Sequence, residues 1–123
     1  MKKDIQNRND IRTLIDNFYS KVIVDPVIGY FFNDVAKVNW EHHLPIMYDF
    51  WESILFQATN YKGNPMIAHV NLHKKSPLSP EHFARWQSLF LATVDEYFQG
   101  EVAERAKQRA RSIAVMIQVK VIS

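Results

Sequence analysis

Apolar residues recur at helical spacing near the start of the chain, and this pattern constrains the fold more than any other feature. Between residues 8 and 24 they fall at i, i+3, i+4, i+7, i+8 and i+11, which are Ile11, Leu14, Ile15, Phe18, Tyr19 and Val22. This spacing puts all of these side chains on one face of an α-helix. Asn9 or Asp10 is predicted to cap the helix, because short polar side chains accept hydrogen bonds from free N–H groups.

The same period recurs in three later segments, which start near residues 40, 80 and 101. Their apolar faces are, in order, Trp40, His43, Leu44, Met47, Phe50, Trp51, Ile54 and Leu55; then Phe83, Trp86, Phe90, Val94 and Tyr97; then Val102, Ala106, Ile113, Ile117 and Val121. Ser79-Pro80 is expected to open the second of these segments and Gly100 to close it. No alternation typical of β-strands is sustained, so the sequence predicts an all-α fold.

Two short helices and one irregular proline complete the predicted elements. Asp25-Pro26 is expected to start a short helix over about residues 27–32, and Asn64-Pro65 to start another over about residues 66–73. A basic elbow at residues 74–78 joins the latter to the next long helix. Pro45 lies inside the predicted helix at residues 40–57, where proline removes a backbone hydrogen bond. The helix is therefore expected either to kink at Pro45 or to begin near His42.

Length, charge and cysteine content limit the class of protein. The 123 residues predict a single domain over residues 1–123, and the net charge of +2 argues against a nucleic-acid partner. The absence of cysteine excludes disulfides, thiolate metal sites and a cysteine nucleophile. No apolar run approaches the roughly 18 residues that cross a bilayer, and the polar N-terminus lacks the apolar stretch of a signal peptide. We therefore expect a cytoplasmic protein with no membrane partner.

Histidine and tyrosine are the residues most able to carry chemistry here. His69 and His73 have the i, i+4 spacing of two metal ligands on one helical turn, but HVNLH lacks the glutamate of the metalloprotease motif. A zinc hydrolase would need a further carboxylate ligand from elsewhere in the fold. Tyr19 lies within an apolar face, and a buried tyrosine needs a partner for its hydroxyl. That partner is either a backbone carbonyl in the core or a ligand in a pocket.

Several motifs, in their order and spacing, make the chain resemble group III of the truncated haemoglobins. The resemblance covers nearly the whole chain and depends on NFYSKV at 17–22, IGYFFND at 28–34, NWEHHLPIMYDFW at 39–51, YKGNP at 61–65, AHVNLH at 68–73 and PEHFARWQSLF at 80–90. The glycine pairs that mark groups I and II are missing. The resemblance implies a truncated globin fold, a two-over-two helical sandwich that encloses haem b.

The resemblance also implies a role for individual residues around the iron. His69 is the proximal ligand, which fits the need of ferrous haem for one strong neutral nitrogen donor. On the opposite side, Tyr19 is the distal tyrosine, His43 occupies the distal histidine position and Trp86 is the distal tryptophan. Their polar groups are suited to catalysis at the iron, because O–H and N–H donors stabilise partial negative charge on a bound ligand.

Further residues are implied to pack against the haem rather than to act on its ligand. Phe32 matches the aromatic residue at the haem edge, and Met47, one turn after His43, is expected to face the distal pocket. Lys74 and Lys75 are candidates to pair with the propionates. His73 is expected at the surface or beside a propionate rather than on the iron.

The implied function is reversible binding of O2 and of other small ligands such as NO and peroxide. Two converging donors favour slow oxygen release, which suits NO detoxification by a dioxygenase-like reaction, or peroxidase-like redox chemistry, better than oxygen transport. Either reaction needs an electron donor, which the sequence does not identify, and we expect the protein to be a monomer. Simple oxygen storage or sensing is an alternative. In a different class, a cofactor-free helical interaction module would use Tyr19, His43, His69 and Trp86 as core residues only.

Overall fold

Four α-helices make up the part of the protein that the structure describes. The structure, a computed structural model, describes residues 2–30, 39–56 and 79–122, with side chains as far as residue 118. The helices are α1 (Arg8–Val22), α2 (Trp40–Phe56), α3 (Pro80–Tyr97) and α4 (Glu101–Ile122). No strand occurs within these ranges, so the prediction of an all-α fold is confirmed. None of these four helices is long and apolar enough to cross a membrane.

The short predicted helices lie wholly or largely outside the described ranges. Of the helix expected at 27–32, residues 26–28 form a turn and residues 29–30 are helical, while the end of that stretch is not described. The helix expected at 66–73 and the elbow at 74–78 fall outside altogether, and both stay predictions.

Helix α1 begins after Asn7, whose backbone is extended (φ −158°, ψ −180°). The Asn7 side chain accepts a hydrogen bond from the Asp10 N–H at 3.0 Å, and the Asp10 carboxylate accepts one from the Gln6 N–H at 2.8 Å. These bonds satisfy free donors at the helix start. The prediction that Asn9 or Asp10 caps the helix was wrong, because both lie within α1 and Asn7 is the capping residue. The apolar face is confirmed, since all six predicted residues are buried.

Helix α2 runs without interruption from Trp40 through Pro45 to Phe56. The Asn39 carbonyl accepts hydrogen bonds from the N–H groups of His42 and His43 at 3.1 and 2.8 Å, and so defines the first turn. The alternative start near His42 was therefore wrong. The predicted apolar face of α2 is less covered than that of α1: two residues are buried, and the half-buried ones are Trp40, His43, Leu44, Met47, Phe50 and Ile54.

Helix α3 begins as predicted, but its apolar face ends one turn earlier than expected. Ser79 precedes Pro80, and the Ser79 N–H donates to His82 Nδ1 at 2.9 Å. Tyr97 was wrongly placed on the buried face: it is 36% exposed, and its hydroxyl donates to Asn17 Oδ1 at 3.0 Å. The next residue, Phe98, enters the core instead, at 4% exposure.

Helix α4 buries a face made mostly of alanine. The buried residues are Ala103, Ala106, Ala110, Ala114 and Ile117. Small side chains allow the axes of packed helices to approach closely. Val102 and Ile113, which the sequence placed on this face, are half-buried and pack against the core. The side chain of Val121 lies outside the described residues.

The four helices form two pairs packed against each other. Helix α1 contacts α2 and α3, and α4 contacts α3 and α2. Phe18 of α1 and Phe90 of α3 are the largest fully buried side chains, and their rings meet edge to face at 5.2 Å. Arg105 of α4 donates to the Leu55 carbonyl at 3.1 Å, which satisfies one of the free acceptors at the end of α2.

The segment before α1 connects the start of the chain to the corner between α3 and α4. The Gln99 N–H donates to the Lys3 carbonyl at 2.9 Å. The Asp4 carboxylate accepts from the N–H groups of Val102 and Ala103 at 2.9 and 2.8 Å, and thereby caps α4. Burial by itself would raise the pKa of Asp4, but these N–H groups lower it below the ordinary value of 3.8.

Gly100 allows Asp4 to reach the start of α4. Its φ of +147° is rarely adopted by residues with a side chain. A Cβ at this position would lie 2.5 Å from Asp4 Cγ, far inside van der Waals contact. Glycine is thus required at this corner both by the backbone angle and by the capping carboxylate.

Replacing Gly100 with alanine is expected to lower the free energy of unfolding by about 1–3 kcal/mol, the usual cost of a strained backbone residue. Urea denaturation of Gly100→Ala, Asp4→Ala and the double variant measures the loss of free energy of unfolding in each. Because the new methyl group collides with Asp4, the losses of free energy of unfolding in the two single variants should sum to more than the loss in the double variant. If the two single losses sum to the loss in the double variant, the collision with Asp4 does not contribute to the effect of Gly100→Ala.

Candidate functional site

The ring of Tyr19 lies at the centre of a cluster of aromatic side chains from two helices. Tyr19 is in the last turn of α1 and is buried. Its ring centroid lies 4.9 Å from that of Phe18, 5.0 Å from that of Trp40 and 5.8 Å from that of His43. Burial raises the pKa of the Tyr19 phenol, so the hydroxyl stays protonated throughout the physiological range. Tyr19 therefore keeps an O–H donor in a largely apolar setting.

His43 and Trp40 stand together on the first turns of α2. They are three residues apart, which puts them on the same side of the helix. Their rings meet edge to face at 5.6 Å and 79°, and the His43 ring meets that of Tyr19 at 78°. Trp40, His43 and Tyr19 thus form a mutually contacting group, called the distal triad below. The sequence analysis noted Trp40 only as part of an apolar face.

Trp86 of α3 is joined to this group through Phe18. The rings of Phe18 and Trp86 meet edge to face at 5.6 Å and 87°. On its other side Trp86 stacks on Phe90 at 5.7 Å, and Phe90 stacks on Trp51 of α2 at 4.7 Å. Trp86 is half-buried, whereas Phe18 and Phe90 are fully buried. A continuous series of aromatic contacts therefore connects Tyr19 with Trp86.

Three of the residues predicted to surround a distal ligand are thus brought into one aromatic cluster by the fold. Tyr19 and His43 are in direct contact, and Trp86 reaches them through one intervening ring. Met47, one turn after His43, is half-buried and packs against the core beside them. The predicted His69 and Phe32 lie outside the described residues, as do His73, Lys74 and Lys75.

The burial pattern around this cluster fits a flat apolar group. Helix α1 buries its whole apolar face, yet on α2 the side chains of His43, Leu44 and Met47 are only half covered by the protein. The Tyr19 ring, which carries an O–H donor, contacts His43 on this partly covered surface, and Trp86, which carries an N–H donor, is linked to Tyr19 through Phe18. An apolar surface edged by a few polar groups is typical of a cofactor pocket. The residues present therefore fit the distal side of a haem.

A metal site of another kind receives no support from the described residues. Within residues 2–30, 39–56 and 79–118, no three His, Asp or Glu side chains are grouped as ligands of one ion. The zinc alternative depended on His69 and His73, which lie outside those ranges, so it stays a prediction.

A second buried tyrosine has a different environment. The Tyr48 hydroxyl donates to the Asp16 carboxylate, and the guanidinium groups of Arg8 and Arg12 each lie 5.7 Å from its ring. Burial, together with the neighbouring Asp16 charge, raises the pKa of Tyr48 to about 12. Tyr48 thus bridges α1 and α2, with its hydroxyl bonded to Asp16 and its ring beside two arginines.

An ion pair between Arg85 and the buried carboxylate of Asp25 positions α3, which carries Trp86, against the end of α1. The Asp25 side chain is 2% exposed and accepts from Arg85 Nε at 2.7 Å, while its other oxygen accepts from the N–H groups of Val27 and Ile28. Burial alone would raise the pKa of Asp25, but Arg85 and these N–H groups lower it below 3.8. No local pattern in the sequence predicts this pair, because its two residues lie 60 positions apart.

Comparison with known proteins finds relatives both in sequence and in structure. The chain is 30% identical over 121 residues to the group 3 truncated haemoglobin ctb of Campylobacter jejuni, covering 96% of this chain and 93% of that one. It superposes on the crystal structure of a group III truncated haemoglobin from Campylobacter jejuni with a TM-score of 0.84 at 28% identity, over 98% of this chain and 95% of that one. The predicted truncated globin fold is confirmed. No family model matches the chain.

The Asp25–Arg85 pair is expected to stabilise the protein in a pH-dependent way. Asp25→Asn should lower the free energy of unfolding at pH 7 by about 1–3 kcal/mol, since a buried charged hydrogen bond is lost. The folded pKa lies below 3.8, so the contribution is complete above roughly pH 5 and disappears as the pH falls through the folded pKa. Urea titrations between pH 7 and pH 3 should show the two proteins converging in acid.

Asp95→Asn is the matched control for this measurement. Asp95 also forms an ion pair at 2.7 Å, with Lys107, but its side chain is 65% exposed. An exposed pair contributes about 0–1 kcal/mol, so this variant should remain close to the wild type. Equal losses in the two variants would mean that burial does not strengthen the Asp25 pair.

Proposed function

The chain belongs to group III of the truncated haemoglobin family, and from this membership we propose that it is a haem b protein that reversibly binds O2 and other diatomic ligands. The observation that carries the proposal is the contact of Tyr19 with His43 at 5.8 Å, together with their link to Trp86 through Phe18. Three residues that are distant in sequence, each with a polar group, converge beside a partly covered apolar surface.

The residues that would bind the haem are divided between the described and the undescribed parts of the chain. We propose His69 as the iron ligand, with Phe32 against the haem edge and Met47 on the distal side. When bound, haem supplies an open coordination position for a diatomic ligand and a redox-active iron. The half-buried apolar side chains of α2 would become covered by its flat surface.

The chain's own distal residues would control how long the ligand remains. Tyr19 presents an O–H group that its raised pKa keeps protonated, and Trp86 presents an indole N–H. Both are hydrogen-bond donors, so they favour a ligand that gains partial negative charge on binding. The His43 ring, in contact with Tyr19, supplies a third polar group.

We propose oxidative chemistry rather than oxygen transport as the physiological role. Donors that slow ligand release disfavour delivery, but they leave time for a second reactant to arrive. In NO detoxification, NO and O2 combine to nitrate with one electron from a donor that remains to be identified. A peroxidase-like reaction is the second candidate, favoured by His43, because imidazole can transfer a proton between the oxygens of a peroxide.

A visible absorption spectrum separates this proposal from its alternatives. The purified protein, ferric, ferrous and ferrous with CO, should show a strong haem band that shifts with CO, and His69→Ala should lose or alter it. His73→Ala should retain haem. A colourless protein that takes up no added haem would favour the cofactor-free interaction module, and metal loss in His73→Ala would favour the zinc hydrolase.

Tyr19→Phe is expected to speed O2 release about fivefold or more, because it removes a hydrogen-bond donor worth about 1 kcal/mol. Stopped-flow measurement of the O2 dissociation rate tests this. Tyr48→Phe is the matched control: it removes the hydroxyl of another buried tyrosine, whose partner is Asp16, and should cost stability without changing the rate. An unchanged rate in Tyr19→Phe would assign the stabilisation to Trp86 or His43.

A further inference from the structure

The distal triad contains one residue to which no chemistry has been assigned. Trp40 contacts both partners, the Tyr19 ring at 5.0 Å and 51° and the His43 ring at 5.6 Å and 79°. Tyr19 and His43 also contact each other at 5.8 Å. His43 therefore cannot leave the Tyr19 ring by rotating its side chain without also changing its contact with Trp40.

The position of this contact within α2 gives it an effect beyond simple packing. Trp40 is the first residue of α2, and the N-terminal turn of a helix opens most readily, because its N–H groups lack partners within the helix. His43 lies one turn further on, within the same labile end. The contact of Trp40 with the buried Tyr19 ring anchors that end to α1, which is the helix that carries Tyr19.

The His43 side chain also lies where rotation can carry it towards solvent. Its side chain is half-buried, whereas Tyr19 is buried, so the triad lies at the border between the interior and solvent. Rotation of the imidazole towards solvent would remove a polar group from beside Tyr19. The indole of Trp40 opposes that rotation through an edge-to-face contact, which for an aromatic pair corresponds to a factor of about two to ten in population.

We propose that Trp40 is a positioning residue that keeps the His43 imidazole against Tyr19 and so sets the polarity met by the distal ligand and the ease of its entry; this rests on the proposed function, since the ligand must bind beside Tyr19. Trp40 donates no hydrogen bond to the ligand in this role. It acts through His43 alone, and its removal should have no effect where His43 is already absent.

The experiment compares holoprotein of the wild type with Trp40→Ala, Trp40→Phe, His43→Ala and the double variant Trp40→Ala/His43→Ala. The CO association rate reports ligand entry, and the infrared stretching band of bound CO reports the polar groups around it. In Trp40→Ala, CO association should be about two- to tenfold faster, and a second CO band should appear at the frequency seen in His43→Ala. Trp40→Phe, which retains a ring, should remain near the wild type.

The double variant decides whether Trp40 acts through His43. It should match His43→Ala in both rate and CO band, whereas additive changes would overturn the proposal. Leu55→Val is the control for general destabilisation: Leu55 is buried at the far end of α2, and this variant should lower the Tm without changing either readout. If Leu55→Val shifts the CO band as Trp40→Ala does, the effect is structural and the proposal fails.

Failure of this proposal can be told apart from failure of the proposed function. If the wild type binds haem and His43→Ala changes the CO band, but Trp40→Ala changes neither readout, only the role of Trp40 is overturned. If His43→Ala itself has no effect, the distal role of His43 is wrong, and the role of Trp40 falls with it. If the wild type takes up no haem, the proposed function and this inference are both overturned.

Discussion

The ring of Phe18 connects two of the candidate site residues, Tyr19 and Trp86, in the part of the protein that the structure describes. Phe18 is fully buried on α1 and meets Tyr19, Trp86 and Phe90 at centroid distances of 4.9, 5.6 and 5.2 Å. Two of these partners come from α3, so the ring joins two helices that lie far apart in sequence. Because interiors are closely packed, a shift of this ring would displace both proposed donors, Tyr19 and Trp86.

Several polar interactions among the described residues satisfy free groups at helix ends or anchor the segments beside them. Asp4 caps α4 from the N-terminal segment, Asp25 joins the turn after α1 to Arg85, and Arg105 bonds the last turn of α2. In the two carboxylates, several donors outweigh burial and lower the pKa. These interactions restrain the ends of helices whose apolar faces are held together by non-directional packing. The position of the distal cluster thus depends on bonds made elsewhere.

The proposed function and the role assigned to Trp40 share a physical basis, which is the control of polar groups at the edge of an apolar surface. A donor such as the Tyr19 hydroxyl affects a ligand strongly because little water competes with it. Rotation of the His43 imidazole beside it would change the polarity of the same surface. Under both proposals, rigid aromatic contacts set the fraction of time for which each polar group faces the ligand.

The sequence by itself determined the four long helices and, on α1, which face is buried, because helical periodicity is a local property. It also indicated Tyr19, His43 and Trp86 through a family resemblance, and the comparisons confirm the family and fold, while the roles of these residues stay proposals. The Asn7 cap of α1 is also a local feature, but the residues predicted to provide the cap, Asn9 and Asp10, were wrong. Only the tertiary structure showed that Tyr97 is exposed, that alanines form the buried face of α4, and that Trp40 completes the distal triad. These features depend on contacts between helices. Whether a side chain is buried or paired is decided by the surface of the neighbouring helix, and a local sequence pattern contains no information about that surface.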